Sequence, residues 1–135
     1  MAAEAFGQGK LETSPLAMAS VAATVDTGSF HQPVVIPGAR QLSAARLPSG
    51  TDSQLKKMMR AVVTYPDGTA HGVGFGSGVY VKTGTAEDQA GQPPNSWIIV
   101  FDPSLDIAIG AVVLDAGAGN EYAGPEALSV VEALG

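Results

Sequence analysis

Three runs rich in β-branched and aromatic residues follow one another in the second half of this 135-residue chain. They span Val79 to Ala86, Ser96 to Phe101 and Ile107 to Asp115, and turn-forming residues bound them at 88–95 and 102–106. Because the second connection is so short, the strands that it joins must be antiparallel neighbours. The sequence therefore predicts three strands, the last two of which form an antiparallel hairpin.

A first helix is predicted well before these strands. Ser14 is a typical N-cap residue, Pro15 suits the first helical position, and Gly28 is a typical stop after Thr27. The apolar residues of this helix surround its axis, so we expect it to be buried on most sides. These residues are Leu16, Met18, Ala19, Val21, Ala22, Ala23 and Val25.

A second helix is predicted to begin at Thr51, which forms a capping-box pattern with Gln54, and to end before Tyr65. Its apolar residues recur at helical spacing: Leu55, Met58, Met59, Val62 and Val63. The preceding residues 30–49 contain three prolines and are predicted to form an extended connector with a short strand at Val34 to Ile36.

The chain is predicted to finish with an amphipathic helix that starts at Pro125 and carries Leu128, Val131 and Leu134 on one face. Such a helix can cover one face of the sheet. The predicted order of elements is therefore helix, connector, helix, three strands and helix.

Composition excludes several functions. The net charge of −6 argues against nucleic-acid binding, and the lack of cysteine excludes thiolate chemistry and Cys-ligated metals. His31 and His71 lie in separate loops, so we expect no metal site. The longest apolar run, Ile107 to Leu114, is far shorter than the ~20 residues that span a bilayer. The start at Met1 does not resemble a signal peptide, so we expect a soluble chain.

The first strand run carries the most informative motif, Lys82-Thr83-Gly84-Thr85, which we call the tetrad. It combines an ammonium group, two hydroxyls and a glycine that allows close backbone approach. Glycines at 72, 74, 76 and 78 precede this strand. Dinucleotide and P-loop motifs place their glycines after a strand and before a helix, so both of these assignments are excluded.

The tetrad resembles the Lys-Thr-Gly motif of penicillin-binding proteins and serine β-lactamases. Further segments are similar, in the family's order, to the transpeptidase domain of class B penicillin-binding proteins. They are Phe6-Gly7-Gln8-Gly9, Thr13-Ser14-Pro15-Leu16 with Met18-Ala19, residues 58–63, Gly68-Thr69-Ala70, Ser96-Trp97 and residues 107–113. The resemblance covers nearly the whole chain. It implies a partial penicillin-binding-protein/serine β-lactamase-like α+β fold, with helices packed on a three-stranded antiparallel sheet.

The resemblance also implies roles for the tetrad. Lys82 would attract the substrate carboxylate and polarise the neighbouring hydroxyl network, and Thr83 and Thr85 would donate hydroxyl hydrogen bonds to the same carboxylate. The backbone N–H of Thr85 would be one of two oxyanion-hole donors. Gly84 would allow a ligand backbone to approach closely. No metal or organic cofactor is implied.

The partner motifs of the family, Ser-x-x-Lys and Ser-x-Asn, have no counterpart in their expected places. Ser53 and Lys56 match the first pattern, but they lie on a helix where the family has no catalytic group. Acyl transfer requires an activated nucleophile. We therefore expect residues 1–135 to be the C-terminal portion of one transpeptidase domain, inactive alone because the N-terminal portion with the serine is missing.

The function implied for the parent protein is peptidoglycan D,D-transpeptidation, in which stem peptides are cross-linked by serine acyl transfer, together with β-lactam binding. The alternatives are a D,D-carboxypeptidase or β-lactamase fragment, or a non-catalytic peptide-binding module. The parent would be anchored at the outer face of the bacterial cytoplasmic membrane. Its partners would be stem peptides, β-lactams and the missing portion of the domain, and exposed sheet edges would favour homo-oligomers.

Overall fold

The computed structural model describes residues 11–41, 44–87 and 91–135, so the Phe6-Gly7-Gln8-Gly9 segment lies outside the described residues. The helices are α1 (Pro15–Thr27), α2 (Thr51–Thr64) and α3 (Ala123–Leu134), and the strands are β1 (Ser29–Phe30), β2 (Ala45–Arg46), β3 (Tyr80–Ala86), β4 (Asn95–Asp102) and β5 (Ile107–Val113). None of the helices in this part of the chain combines the length and apolar character that a bilayer crossing requires.

The main sheet has the order β3-β4-β5 with antiparallel pairing throughout, which confirms the expected three-stranded antiparallel sheet. Among the described residues, β3 and β5 each pair with one strand, and β4 lies between them. The last strand ends two residues earlier than predicted. Asp115 instead adopts a positive φ of 51°, which takes the chain out of the sheet.

Side chains alternate between the two faces of the sheet, and each face packs against different helices. One face, the α1–α2 face, carries Ile99 and Phe101, which pack against Ala22 and Val25 of α1 and Met59 of α2. The opposite face, the α3 face, carries the buried residues Val81, Ile98 and Val100, with Ala127 and Val131 of α3 and the buried loop residues Ala70 and Phe75. The sheet is thus a middle layer between helices.

Helix α1 approaches β5 very closely at Gly110. A Cβ at this position would lie 2.3 Å from the Pro15 carbonyl oxygen and 2.8 Å from the Ala19 amide nitrogen. The predicted N-cap is confirmed, since Ser14 accepts a hydrogen bond from the Ala17 amide at 3.2 Å. The prediction that α1 is buried on most sides is wrong. Only one side of α1 packs on the sheet, and Leu16 and Val21 are 48% and 44% exposed.

Helix α2 begins differently from the predicted capping box. Its N-cap is Gly50, which has a positive φ of 80° and offers no side-chain hydrogen bond, and Thr51 is already helical. Met59 and Val63 are buried as the helical spacing predicts, but Met58 is 58% exposed because it lies beyond the stripe that packs on the sheet.

The connector contains no strand at Val34 to Ile36, where Val35 and Ile36 are 77% and 70% exposed. Its regular structure is instead a short ribbon in which Ser29 pairs with Arg46 and Phe30 with Ala45. A chain-local β-propensity overestimates strand formation when no partner strand lies alongside.

The terminal helix covers one sheet face as predicted, although it begins at Ala123, so Pro125 is its third residue. Pro125 is still compatible with the helix, because amide groups in the first turn have no intrahelical acceptor.

Substituting Gly110→Ala is expected to destabilise the chain by about 1–3 kcal/mol, because the new methyl group must displace the backbone of α1. The free energy of unfolding from urea titration measures the effect. Gly76→Ala is the matched control, since a Cβ there meets no atom within 4 Å. Equal stability of the two variants would show that α1 does not pack on β5 as described.

Candidate functional site

The tetrad occupies the third to sixth residues of β3, a strand that has one paired neighbour in the described structure. Lys82 is opposite Ile99, Thr83 opposite Ile98, Gly84 opposite Trp97 and Thr85 opposite Ser96. All four positions are therefore fixed in register by β4, the most deeply buried strand of the sheet. The placement of the tetrad on a strand, as predicted from the sequence, is confirmed.

Lys82 and Thr85 are the two exposed members of the tetrad. Because side chains alternate along a strand, Lys82 belongs to the α1–α2 face and Thr85 to the α3 face. The Lys82 ammonium group donates a hydrogen bond to the carbonyl oxygen of Thr83. It thereby stays close to the strand and remains partly exposed, where it can meet an anionic ligand.

Thr83 is only 9% exposed, and its hydroxyl lies 2.6 Å from the hydroxyl of Thr69. Thr69 is exposed and belongs to the loop between α2 and β3. A hydroxyl has one proton and can accept two hydrogen bonds. If Thr69 donates to Thr83, the proton of Thr83 remains available for a ligand carboxylate, so the direction of this one hydrogen bond decides whether Thr83 can act as a donor.

Gly84 is held closely on both faces of the strand. A Cβ on Gly84 would lie 3.1 Å from the Cβ of Trp97 across the strands. A Cβ on Gly119, which follows β5, would lie 2.6 Å from the Gly84 carbonyl oxygen and 2.9 Å from its amide nitrogen. The backbone at Gly119 therefore packs directly against the backbone of β3 at Gly84, and no side chain fits between them.

Arg60 of α2 fixes the glycine-rich loop that leads into β3. One terminal nitrogen of its guanidinium donates to the carbonyl oxygens of Gly76 at 3.2 Å and Val79 at 2.7 Å. Hydrogen bonds from a charged donor are stronger than those between neutral groups. Arg60 thus joins the helix to the entry of the tetrad strand.

The Ser53 and Lys56 pair on α2 is engaged in structural contacts. The Ser53 hydroxyl donates to the Gly50 carbonyl oxygen at 2.9 Å, and Lys56 forms an ion pair with Asp26 of α1 at 3.0 Å. Neither contact activates the serine. This arrangement agrees with the interpretation of the segment as a structural helix.

The ammonium of Lys82 and the hydroxyls of Thr83 and Thr85 could together bind a carboxylate. The strand that carries them is held in place by the buried strand β4. Sequence reasoning identified the tetrad but gave no role to Thr69, Ser96 or Gly119. Ser96 is fully buried, and its hydroxyl forms hydrogen bonds with Ala118 and Ala123. A lone serine at the start of an apolar strand is a weak sequence signal for such contacts. The contact of Gly119 with Gly84 spans 35 residues along the chain and has no local signal.

Comparison with known proteins identifies one family. The family model described as the penicillin binding protein transpeptidase domain matches residues 2–134. A comparison with curated protein sequences gives no match.

Solved structures with the same architecture include Pseudomonas aeruginosa PBP2 in complex with WCK 5153, which is 23% identical with a TM-score of 0.75 over 94% of this chain. Penicillin-binding protein A from M. tuberculosis, an imipenem acyl-enzyme complex, is 23% identical with a TM-score of 0.68 over 98% of this chain. PBP2 in complex with MreC from Helicobacter pylori is 25% identical with a TM-score of 0.70 over 98%.

The chain spans about a third of the length of these structures: 30%, 34% and 27%, respectively. Their fold is shared by the three helices and the three-stranded sheet described above.

The contact between Thr69 and Thr83 predicts energetic coupling between their hydroxyls. Thr69→Val is expected to cost about 1–3 kcal/mol of stability, because it leaves the buried Thr83 hydroxyl without its partner. The double variant with Thr83→Val should cost less than the sum of the single variants, by about 1 kcal/mol. Urea titration of the four proteins measures this difference, and strict additivity would contradict the contact.

Proposed function

Because the chain belongs to the penicillin-binding protein transpeptidase domain family, we propose that it is the C-terminal portion of a peptidoglycan D,D-transpeptidase domain. The observation that carries the proposal is the position of the tetrad on β3, which pairs only with β4 among the described strands. Lys82 and Thr85 are exposed on this strand. These groups provide a cation, a hydroxyl and a backbone amide for an acyl-D-alanyl-D-alanine ligand.

The substrate ends in a carboxylate, which is the natural partner of Lys82. The exposed ammonium attracts this group, and the hydroxyl of Thr85 donates a hydrogen bond to it. When the Thr69 hydroxyl donates its hydrogen bond to the Thr83 hydroxyl, Thr83 can in turn donate a hydrogen bond to the carboxylate. Recognition then depends on charge and on hydroxyl geometry together, which separates a terminal carboxylate from an internal peptide bond.

The reaction begins when a serine Oγ attacks the carbonyl carbon of the penultimate D-alanine and transfers its proton to a nearby base. The carbonyl oxygen becomes negatively charged and accepts hydrogen bonds from the Thr85 amide and from the amide of the serine itself. The C–N bond then breaks, and D-alanine leaves after it receives a proton. The amine of a second stem peptide attacks the ester, releases the serine and completes the cross-link.

The serine belongs to a preceding portion of the domain in this proposal. The chain spans about a third of its structural neighbours, which leaves length for such a portion. Strand β5 supports its docking, because every residue of β5 is only partly buried although the strand packs under α1. A further strand beside β5 would cover this edge and complete the sheet. The intact protein would act at the outer face of the cytoplasmic membrane.

β-Lactams would acylate the same serine. One structural neighbour is an imipenem acyl-enzyme complex, which supports acylation by such a compound within this fold. The tetrad would bind the carboxylate of the drug as it binds that of the stem peptide.

The proposal predicts that this chain alone forms no covalent adduct with penicillin, whereas it does support acylation when it is co-expressed with the preceding portion of the domain. Intact-mass spectrometry would locate the adduct on a serine of the preceding portion. Lys82→Ala should lower the acylation rate about 10- to 100-fold, because a hydrogen bond to a charged group contributes about 1.5–3 kcal/mol.

Lys57→Ala is the control, because Lys57 is an exposed cation of α2 that lies outside the tetrad. Its acylation rate should equal that of the unsubstituted chain. An adduct on a serine of residues 1–135, or an unchanged rate in Lys82→Ala, would contradict the proposal.

A further inference from the structure

The segment after β5 runs behind the tetrad, on the α3 face of the sheet. We call residues 115–123 the buttress segment. Its central residue, Gly119, is buried, and a Cβ there would lie 2.3 Å from the Trp97 carbonyl oxygen and 2.6 Å from that of Gly84. These are backbone atoms of β4 and β3, so no side-chain rotation can make room for a larger residue.

Ser96 fastens the buttress segment to the sheet. This fully buried residue lies opposite Thr85 in the β3–β4 ladder. Its hydroxyl donates to the Ala118 carbonyl oxygen at 2.8 Å and accepts from the Ala123 amide at 3.0 Å. One hydroxyl thus uses its proton and a lone pair to hold the residue before Gly119 and the first residue of α3.

Further hydrogen bonds hold both ends of the buttress segment. At its start, the Asp115 amide donates to the Asn95 side-chain oxygen at 3.0 Å, and the Gly117 amide donates to the Pro94 carbonyl oxygen at 2.9 Å. At its end, the Gly124 amide donates to the Gly119 carbonyl oxygen at 2.8 Å. The segment therefore cannot move away from the sheet without breaking several contacts.

We propose that Gly119 and Ser96 are positioning residues of the transpeptidase site, which set the location of the Gly84 and Thr85 backbone. This inference rests on the proposed function of the tetrad. Neither residue is placed to touch the substrate carboxylate, because both are buried, whereas Lys82 and Thr85 are exposed. They act through the strand that carries the Thr85 amide.

The consequence for catalysis follows from the distances. A methyl group on Gly119 requires roughly 1 Å of backbone displacement before it reaches ordinary contact with Gly84 and Trp97. A displacement of about 1 Å at a reacting group can reduce the rate about 100-fold. The Thr85 amide, one residue beyond Gly84, would lose its alignment with the developing oxyanion although it keeps its chemical identity.

The test compares Gly119→Ala with two controls, Gly72→Ala and Val131→Ala. A Cβ on Gly72 meets nothing within 4 Å. Val131 is buried in α3. Its carbonyl oxygen accepts a hydrogen bond from the Gly135 amide, and Gly135 lies next to Leu105, so Val131 is near the β4–β5 turn. Val131→Ala therefore lowers stability at the other end of the sheet. Its melting temperature provides the comparison for a purely structural loss.

Amide NMR spectra of the 135-residue chain give the first readout. In Gly119→Ala the signals of Gly84, Thr85 and Trp97 should move further than in either control. Unchanged signals for these residues would overturn the inference. This readout requires no substrate, so it remains decisive even if the unsubstituted chain supports no acylation and the proposed function fails.

The penicillin acylation rate of the chain co-expressed with the preceding portion gives the second readout. Gly119→Ala should lose about 100-fold in rate, whereas Val131→Ala should keep its rate at a similar fall in melting temperature. Equal rates in Gly119→Ala and the unsubstituted chain would overturn the inference.

If Gly119→Ala does not fold, Ser96→Ala replaces it, with the exposed Ser77→Ala as control. The same three signals should move and the rate should fall about 10-fold, since the strand keeps its glycine contact but loses its hydrogen-bonded fastening. No movement of those signals in Ser96→Ala would overturn the inference.

Discussion

The burial of β4 is the constraint on which the rest of the structure depends. This strand pairs with β3 on one side and β5 on the other, and both of its faces are covered by helices or loops. Ile98, Val100 and Phe101 are at most 1% exposed. Because β4 sets the register of both neighbours, the positions of the tetrad residues follow from the packing of a strand that carries none of them.

Because side chains alternate between the two faces of a strand, the four residues of the tetrad have different surroundings and roles. Lys82 and Thr85 are exposed and suited to ligand contacts, whereas Thr83 is directed into a polar contact with Thr69. Gly84 is confined between Trp97 and Gly119. A site of this kind combines an exposed cation with a backbone amide held in a fixed position, and oxyanion stabilisation depends on such preorganised donors.

Much of the fold could be predicted from local sequence signals. The three strands, the Ser14 cap and the terminal helix all depend on patterns that extend over a few residues, and these were confirmed. The exposure of α1 and the connector could not be predicted, because it depends on which surfaces meet in space. Leu16 and Val35 are apolar by sequence and exposed by position.

The candidate site divides in the same way. Lys82, Thr83, Gly84 and Thr85 are adjacent in sequence, so a motif was sufficient to find them. Thr69 and Gly119 contact this motif from distant segments, and a single sequence does not report contacts of that range. The roles of the tetrad residues remain predictions drawn from the family.

The structure of the intact domain acylated by a penicillin would test the central claim most directly. The account predicts that the acyl carbonyl oxygen lies about 2.7–3.1 Å from the Thr85 amide nitrogen, with the drug's carboxylate beside Lys82 and Gly119 still in contact with Gly84. An acyl oxygen directed away from β3, or a carboxylate bound elsewhere, would contradict it.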